Sequence, residues 1–161
     1  MKKIIFLLIP LFLAGALSAQ EVPLDSVQLK PVRGSLVTYY SLTAKTPHVM
    51  VCFWSVNIPA TIDELNAISK QYEKWKQLGS FRLLAVCIDE GNLLGRMRPT
   101  ANMNGWTFDV FGDINGDLQR ILHTGTLPQS FILDKGQVVY QQSGFAAGTE
   151  DYLFSKIAAL H

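Results

Sequence analysis

The segment 48–65 constrains this chain most. Its apolar run Val49-Met50-Val51-Cys52-Phe53-Trp54 shows no polar alternation, so it predicts a strand covered on both faces. The run stops at a polar elbow, Ser55-Val56-Asn57, and Pro59 then suits the first turn of a helix. Ile62, Leu65, Ile68, Tyr72 and Trp75 recur at spacings of three or four and line one helical face. Thr61-Ile62-Asp63-Glu64 fits a capping box, in which the Thr61 hydroxyl and the Glu64 carboxylate satisfy free N–H groups reciprocally. A start nearer Ile58 makes Asn57 the competing cap. Lys74 and Lys76 complement the dipole at the other end, where Leu78-Gly79 stops the helix.

The rest of the chain supplies partners for that strand. Val27-Gln28-Leu29-Lys30 and residues 36–40 are β-prone runs punctuated by Pro31, Arg33-Gly34 and Ser35, which predicts a hairpin. Residues 81–88 form a second buried strand, closed by Asp89-Glu90-Gly91. A short helix over 92–102 and a third strand over 106–111 follow. A turn over 112–116 leads to a helical stripe of Leu118, Ile121 and Leu122. Residues 131–133 and 137–140 are strands joined at Asp134-Lys135-Gly136. Thr149 caps a last helix that carries Glu150 and Asp151 first, Lys156 later, and Leu153, Ile157 and Leu160 on its inner face. This order predicts an α/β fold, a central mixed sheet with helices on both faces.

Residues 1–19 read as an export signal. Lys2-Lys3 give the charged start, residues 4–13 the apolar stretch, and Ala14, Gly15, Ala16, Ser18 and Ala19 the small residues of a cleavage site. We place the cut after Ala19, with Ala16 as the alternative. The apolar stretch is short for a membrane span, so no stable span is expected after cleavage. Residues 20–161 are expected to form one domain in the periplasm or outside the cell. No cysteine stands at the cut to carry a lipid anchor.

Two of the 14 lysines and arginines lie in the export segment, and the remainder against 13 acidic residues leave a formal charge of −1. Such a chain has no basic field for nucleic acid or anionic lipid. His48, His123 and His161 are scattered without an i,i+4 pair, so neither a metal nor another cofactor is expected. Asp113-Ile114-Asn115-Gly116-Asp117 has the look of a calcium loop, but Leu118 and Thr124 stand where a glycine and an acid are needed. A turn and a helix cap explain it better. Export places Cys52 and Cys87 where disulfides persist. Three readings of them stay open: buried thiols packed as small hydrophobes, a bridge between strands, or a working redox thiol.

Phe53-Trp54, three elbow residues, a helix start and then Glu64-Leu65 together resemble the thioredoxin-like superfamily, in its exported TlpA/ResA-type (redoxin or AhpC-TSA-like) branch. A second landmark, Gly125-Thr126-Leu127-Pro128-Gln129-Ser130-Phe131-Ile132-Leu133-Asp134, is similar to the family segment around a cis-proline, with one extra residue between Gly125 and Pro128. The resemblance covers roughly residues 25–161. It implies a thioredoxin-like fold, a cis Pro128, and a Leu127 that offers its backbone to an extended client peptide. It also places the family's two cysteine positions on Ile58 and Thr61, so that Ile58-Pro59-Ala60-Thr61 replaces the CxxC motif. Glu64 falls on the family acid that tunes the cysteine pair and here has none to tune, which leaves it the capping box.

Disulfide exchange runs through a thiolate, which a helix N-terminus favours. Ile58 offers no nucleophile, Thr61 no resolving thiol, and neither Cys52 nor Cys87 stands at a helix start. A peroxidatic cysteine would need that same place. The expected function is therefore redox-inactive: holding an extended peptide or an envelope protein partner in a groove of Trp54, Asn57, Ile58, Leu127 and Pro128. Trp54 and Trp75 are more often core than ligand platforms, but the place of Trp54 beside the elbow leaves partial exposure open. The alternative is a thiol–disulfide oxidoreductase or thiol peroxidase-like enzyme working through Cys52, Cys87 or both. A third reading is an accessory domain of an envelope assembly with the groove unused.

Overall fold

A computed structural model of the protein describes residues 22–77 and 79–160. The expected export segment, Leu78 at the end of the long helix, and His161 lie outside the described residues. The strands are β1 (Gln28–Pro31), β2 (Val37–Thr38), β3 (His48–Trp54), β4 (Arg82–Cys87), β5 (Asp109–Gly112), β6 (Gln129–Asp134) and β7 (Gln137–Ser143). The helices are α1 (Tyr39–Thr43), α2 (Pro59–Lys76), α3 (Gly91–Leu94), α4 (Met97–Met103), α5 (Asp117–Ile121) and α6 (Thr149–Ala158), and a 3-10 turn, Leu24–Ser26, precedes β1.

One mixed sheet runs in the order β2-β1-β5-β4-β3-β6-β7. The apolar run at 49–54 takes the centre because only a doubly covered strand can bury six such side chains in a row. It pairs parallel with β4, Cys52 opposite Ala85, and antiparallel with β6, Cys52 opposite Ser130. Strand alternation then sorts the core. Met50, Cys52, Trp54, Leu83, Ala85 and Cys87 join Leu65, Ile68 and Trp75 of α2 and Leu153 and Ile157 of α6. Val49, Val51, Phe53, Leu84 and Val86 join Tyr39 of α1 and Leu118 of α5. Each large side chain buried this way contributes about 2 kcal/mol by area, so the two layers, not local propensity, decide the fold.

Several local expectations change. The run at 36–40 is a strand only over Val37–Thr38; the chain then turns into α1, whose first turn is capped by the Thr38 hydroxyl accepting from Ser41 N–H at 3.2 Å. The helix expected over 92–102 is two, α3 and α4, separated at Gly95-Arg96. In α6, Gly148 rather than Thr149 holds the cap position, in the left-handed region at φ 94°. The Thr149 hydroxyl instead donates to the Ala146 carbonyl at 2.7 Å. At α5 the cap position is Gly116, and Asp113 from the turn before it accepts from Gln119 N–H at 2.8 Å. No helix among the described residues is long and apolar enough to cross a membrane.

Candidate functional site

The site builds from the elbow at the C-terminal end of β3. Here the chain must leave a sealed sheet and start a helix, so its backbone groups need partners other than the ladder. Asp89, just past β4, supplies one of them and holds a side chain as well: it accepts from Val56 N–H at 2.7 Å and from the Ser55 hydroxyl at 2.6 Å. Ser55 Oγ in turn accepts from Asn57 N–H at 3.2 Å. Thr61 closes the loop from the helix side. Its hydroxyl accepts from Ser55 N–H at 3.2 Å and lies 3.0 Å from the Ser55 carbonyl and 2.7 Å from that of Ile58. Sequence reasoning read Asp89 only as the end of a strand. The signal was present in an acid placed where a buried strand reopens beside a neighbouring elbow.

The expected capping box does not form. α2 begins at Pro59 with Ile58 at the cap position, and no side chain, Asn57 included, caps it. Thr61 is buried inside the first turn and is spent on the elbow. Glu64, one turn further, is 1% exposed and points into the core. There it accepts from the Ser130 hydroxyl at 3.0 Å, and its second oxygen has no partner among the described residues. Burial lifts the Glu64 carboxyl to about 7, against the Ser130 hydrogen bond that pulls it down.

Both cysteines are free and buried. The register sets Trp54, not Cys52, opposite Cys87, so the two thiols stand diagonally on one face of the sheet. Cys52 lies opposite Ser130, and burial, then the nearby Glu64, raises its thiol well above the ordinary range. Cys87 sits 3.2 Å from Asp89 Oδ2, and burial pushes its thiol up to about 12. At neutral pH each is a thiol, the unreactive form.

The predicted groove residues come together in part. One step beyond the Phe53–Gln129 pair, the register brings the elbow alongside Leu127 and Pro128, joined by a cis peptide bond. Asn57 is exposed, while Ile58 and Leu127 are half-buried, so these three reach the surface. Pro128 is buried, and Trp54 is 0% exposed. The expectation that Trp54 lines the surface is therefore corrected: its ring packs edge-on against Trp106 at 5.0 Å and supports the elbow from beneath. A cavity of about 350 Å³ lies at the other end of β3, lined by Tyr39, Tyr40, Lys45, Val49 and Lys135, and takes in none of the predicted groove residues. Among the described residues, no cluster of three or more His, Cys, Asp and Glu is placed to hold a metal ion.

Comparison with known proteins agrees with this architecture. Residues 20–142 match the AhpC/TSA family. The chain belongs to that family. No curated protein matches the sequence. Among solved structures, an uncharacterized thioredoxin-like protein from Porphyromonas gingivalis superposes with a TM-score of 0.72 at 34% identity, over 85% of this chain and 90% of that one. A putative thiol:disulfide interchange protein DsbE from Chlorobium tepidum gives 0.68 at 22% identity, over 84% and 94%. StoA from Bacillus subtilis gives 0.64 at 20% identity, over 83% and 98%. The fold is thioredoxin-like, and within this AhpC/TSA-family chain Cys52 and Cys87 do not make a CxxC pair.

Proposed function

We propose that the protein is an exported, redox-inactive thioredoxin-like domain of the TlpA/ResA type that binds rather than exchanges. One observation carries this reading. The start of α2, where a reactive thiolate is best stabilised, presents Ile58 and a Thr61 already committed to the elbow, while both thiols are sealed in the sheet. Asn57, Ile58 and Leu127 leave a mixed polar and apolar rim at that place, with Pro128 behind it. Such a rim suits an extended segment of a peptide or envelope protein, held through backbone hydrogen bonds.

A thiol count with a chromogenic disulfide reagent, without added reductant, tests the first half. No reaction in the native state and two thiols in denaturant are expected. Fast native labelling, or turnover in an insulin-reduction assay, would instead establish an oxidoreductase. For the second half, Ile58→Asp or Pro128→Ala should abolish capture of an envelope partner. Capture that survives both changes means the rim is unused.

A further inference from the structure

The cavity at the end of β3 away from the elbow has no part in the binding role proposed for the elbow. Its floor is Tyr39 and Val49, both buried, and Pro47 and the exposed Tyr40 add apolar walls. Lys45 and Lys135 line it too, exposed and without an ion pair or side-chain hydrogen bond among the described residues. Two lysines against Asp25 leave this lining with an excess of one positive charge. The backbone holds the two lysines in place. Lys45 lies in a turn closed by Thr46 N–H, which donates to the Thr43 carbonyl at 2.9 Å. Lys135 takes the first place of the β6–β7 turn at φ 49°, the left-handed region where Asn, Asp or Gly is usual. Its N–H donates to the Pro47 carbonyl at 2.8 Å and so ties that turn to the connector that carries Lys45. Little backbone order is then lost when an anion meets both ammonium groups.

Tyr39 adds an unmet demand. Its hydroxyl is buried and has no hydrogen-bond partner among the described residues. Burial, then the Asp25 carboxylate in the same lining, keeps the phenol protonated, so it is a donor that lacks an acceptor. We infer that this cavity binds a small organic acid with a flat apolar body. The acid group supplies the charge that Lys45 and Lys135 lack and the acceptor that Tyr39 lacks, while the body covers Val49, Tyr40 and Pro47. A bare inorganic anion would leave those apolar walls wet, and a neutral ring would cover two ammonium groups without pairing them. A volume of about 350 Å³ is at the small end of ligand pockets, which suits a one-ring acid rather than a folded partner.

Nitrogen–proton correlation spectra of the exported chain, titrated with cinnamate, test this site. The amides of Lys45, Thr46, Lys135 and Gly136 should shift and saturate together, while those of Asn57 and Ile58 stay in place. Neutral cinnamide should bind about tenfold more weakly, and acetate, which has no ring, should not saturate. Lys45→Gln with Lys135→Gln should weaken cinnamate about tenfold or more. Neither lysine holds the fold through a side-chain bond, so the thermal midpoint should not move. Tyr39→Phe removes a hydroxyl without a partner among the described residues, so it should lower affinity a few-fold and leave the midpoint unchanged or raised. No shift up to the solubility limit of cinnamate overturns the inference. Shifts confined to Asn57 and Ile58 do so as well, since the probe would then sit on the elbow rim. Binding that cinnamide matches, or that survives the double lysine change, also overturns it, because the ring would rest on apolar surface with its charge unread.

Discussion

Two carboxyl groups flank the two cysteines, and they are solved in opposite ways. Asp89 stands where β4 opens toward solvent and accepts from three partners: the Ser55 hydroxyl, Val56 N–H and the Cys87 thiol. Glu64 stands inside the core with one partner, Ser130, and an oxygen left over. The first is a satisfied network that pins the elbow. The second is half satisfied, and it copes by holding its proton near neutral pH. Beside the same face of the sheet, one carboxyl group from the loop after β4 is fully partnered and one from α2 is not. The difference is the supply of donors.

Removing the satisfied acid should do the most damage. Asp89→Ala leaves a nearly buried serine hydroxyl and a backbone amide without their acceptor. We expect a loss of about 4 kcal/mol in urea unfolding, since hydrogen bonds to a charged acceptor are worth roughly 1.5–3 kcal/mol each and Asp89 keeps some contact with water. Asp89→Asn retains two of the geometries and should lose less. Equal loss from both would mean the charge, not the hydrogen-bond pattern, anchors the elbow.

Glu64 makes stability depend on pH. Its carboxyl is raised from 4.5 to about 7 in the folded chain, so between those values the native state keeps a proton that the unfolded chain releases. The contribution is fully present below 4.5 and is lost as pH rises through 7, about 3 kcal/mol in all. Urea midpoints measured from pH 4 to 8 should therefore fall with pH in the wild type and stay flatter in Glu64→Gln. Parallel curves for the two proteins would assign the dependence to other groups.

Much of this contrast was open to sequence reading, but unevenly. The buried run 49–54, the α2 stripe and the 131–140 hairpin were legible because each follows from a period or a turn signal within one segment. The capping box failed for the opposite reason. Thr61 and Glu64 have the right spacing, yet the partners that claim them, Ser55 and Ser130, belong to the elbow and to β6. Spacing reports which groups are free to meet locally, and a residue drawn into the core no longer answers to it. The surface place given to Trp54 failed similarly, because its partner Trp106 comes from a distant segment, expected as the start of a strand but lying before β5.

The thiols give the finest comparison. Cys52→Ala and Cys87→Ala each remove one small buried side chain, and a loss of about 1 kcal/mol is expected for either. Their labelling should differ more than their stability. Cys52 is completely enclosed beside a carboxyl that repels a thiolate once ionised, whereas Cys87 lies under the elbow and contacts a partly exposed acid. Alkylation under weakly destabilising urea should therefore reach Cys87 first, by local opening of the elbow, and Cys52 only with global unfolding. Asp89→Asn should speed labelling of Cys87 and leave that of Cys52 in step with global stability. If both thiols respond together, elbow and core open as one unit, and the two acids then belong to a single cooperative structure.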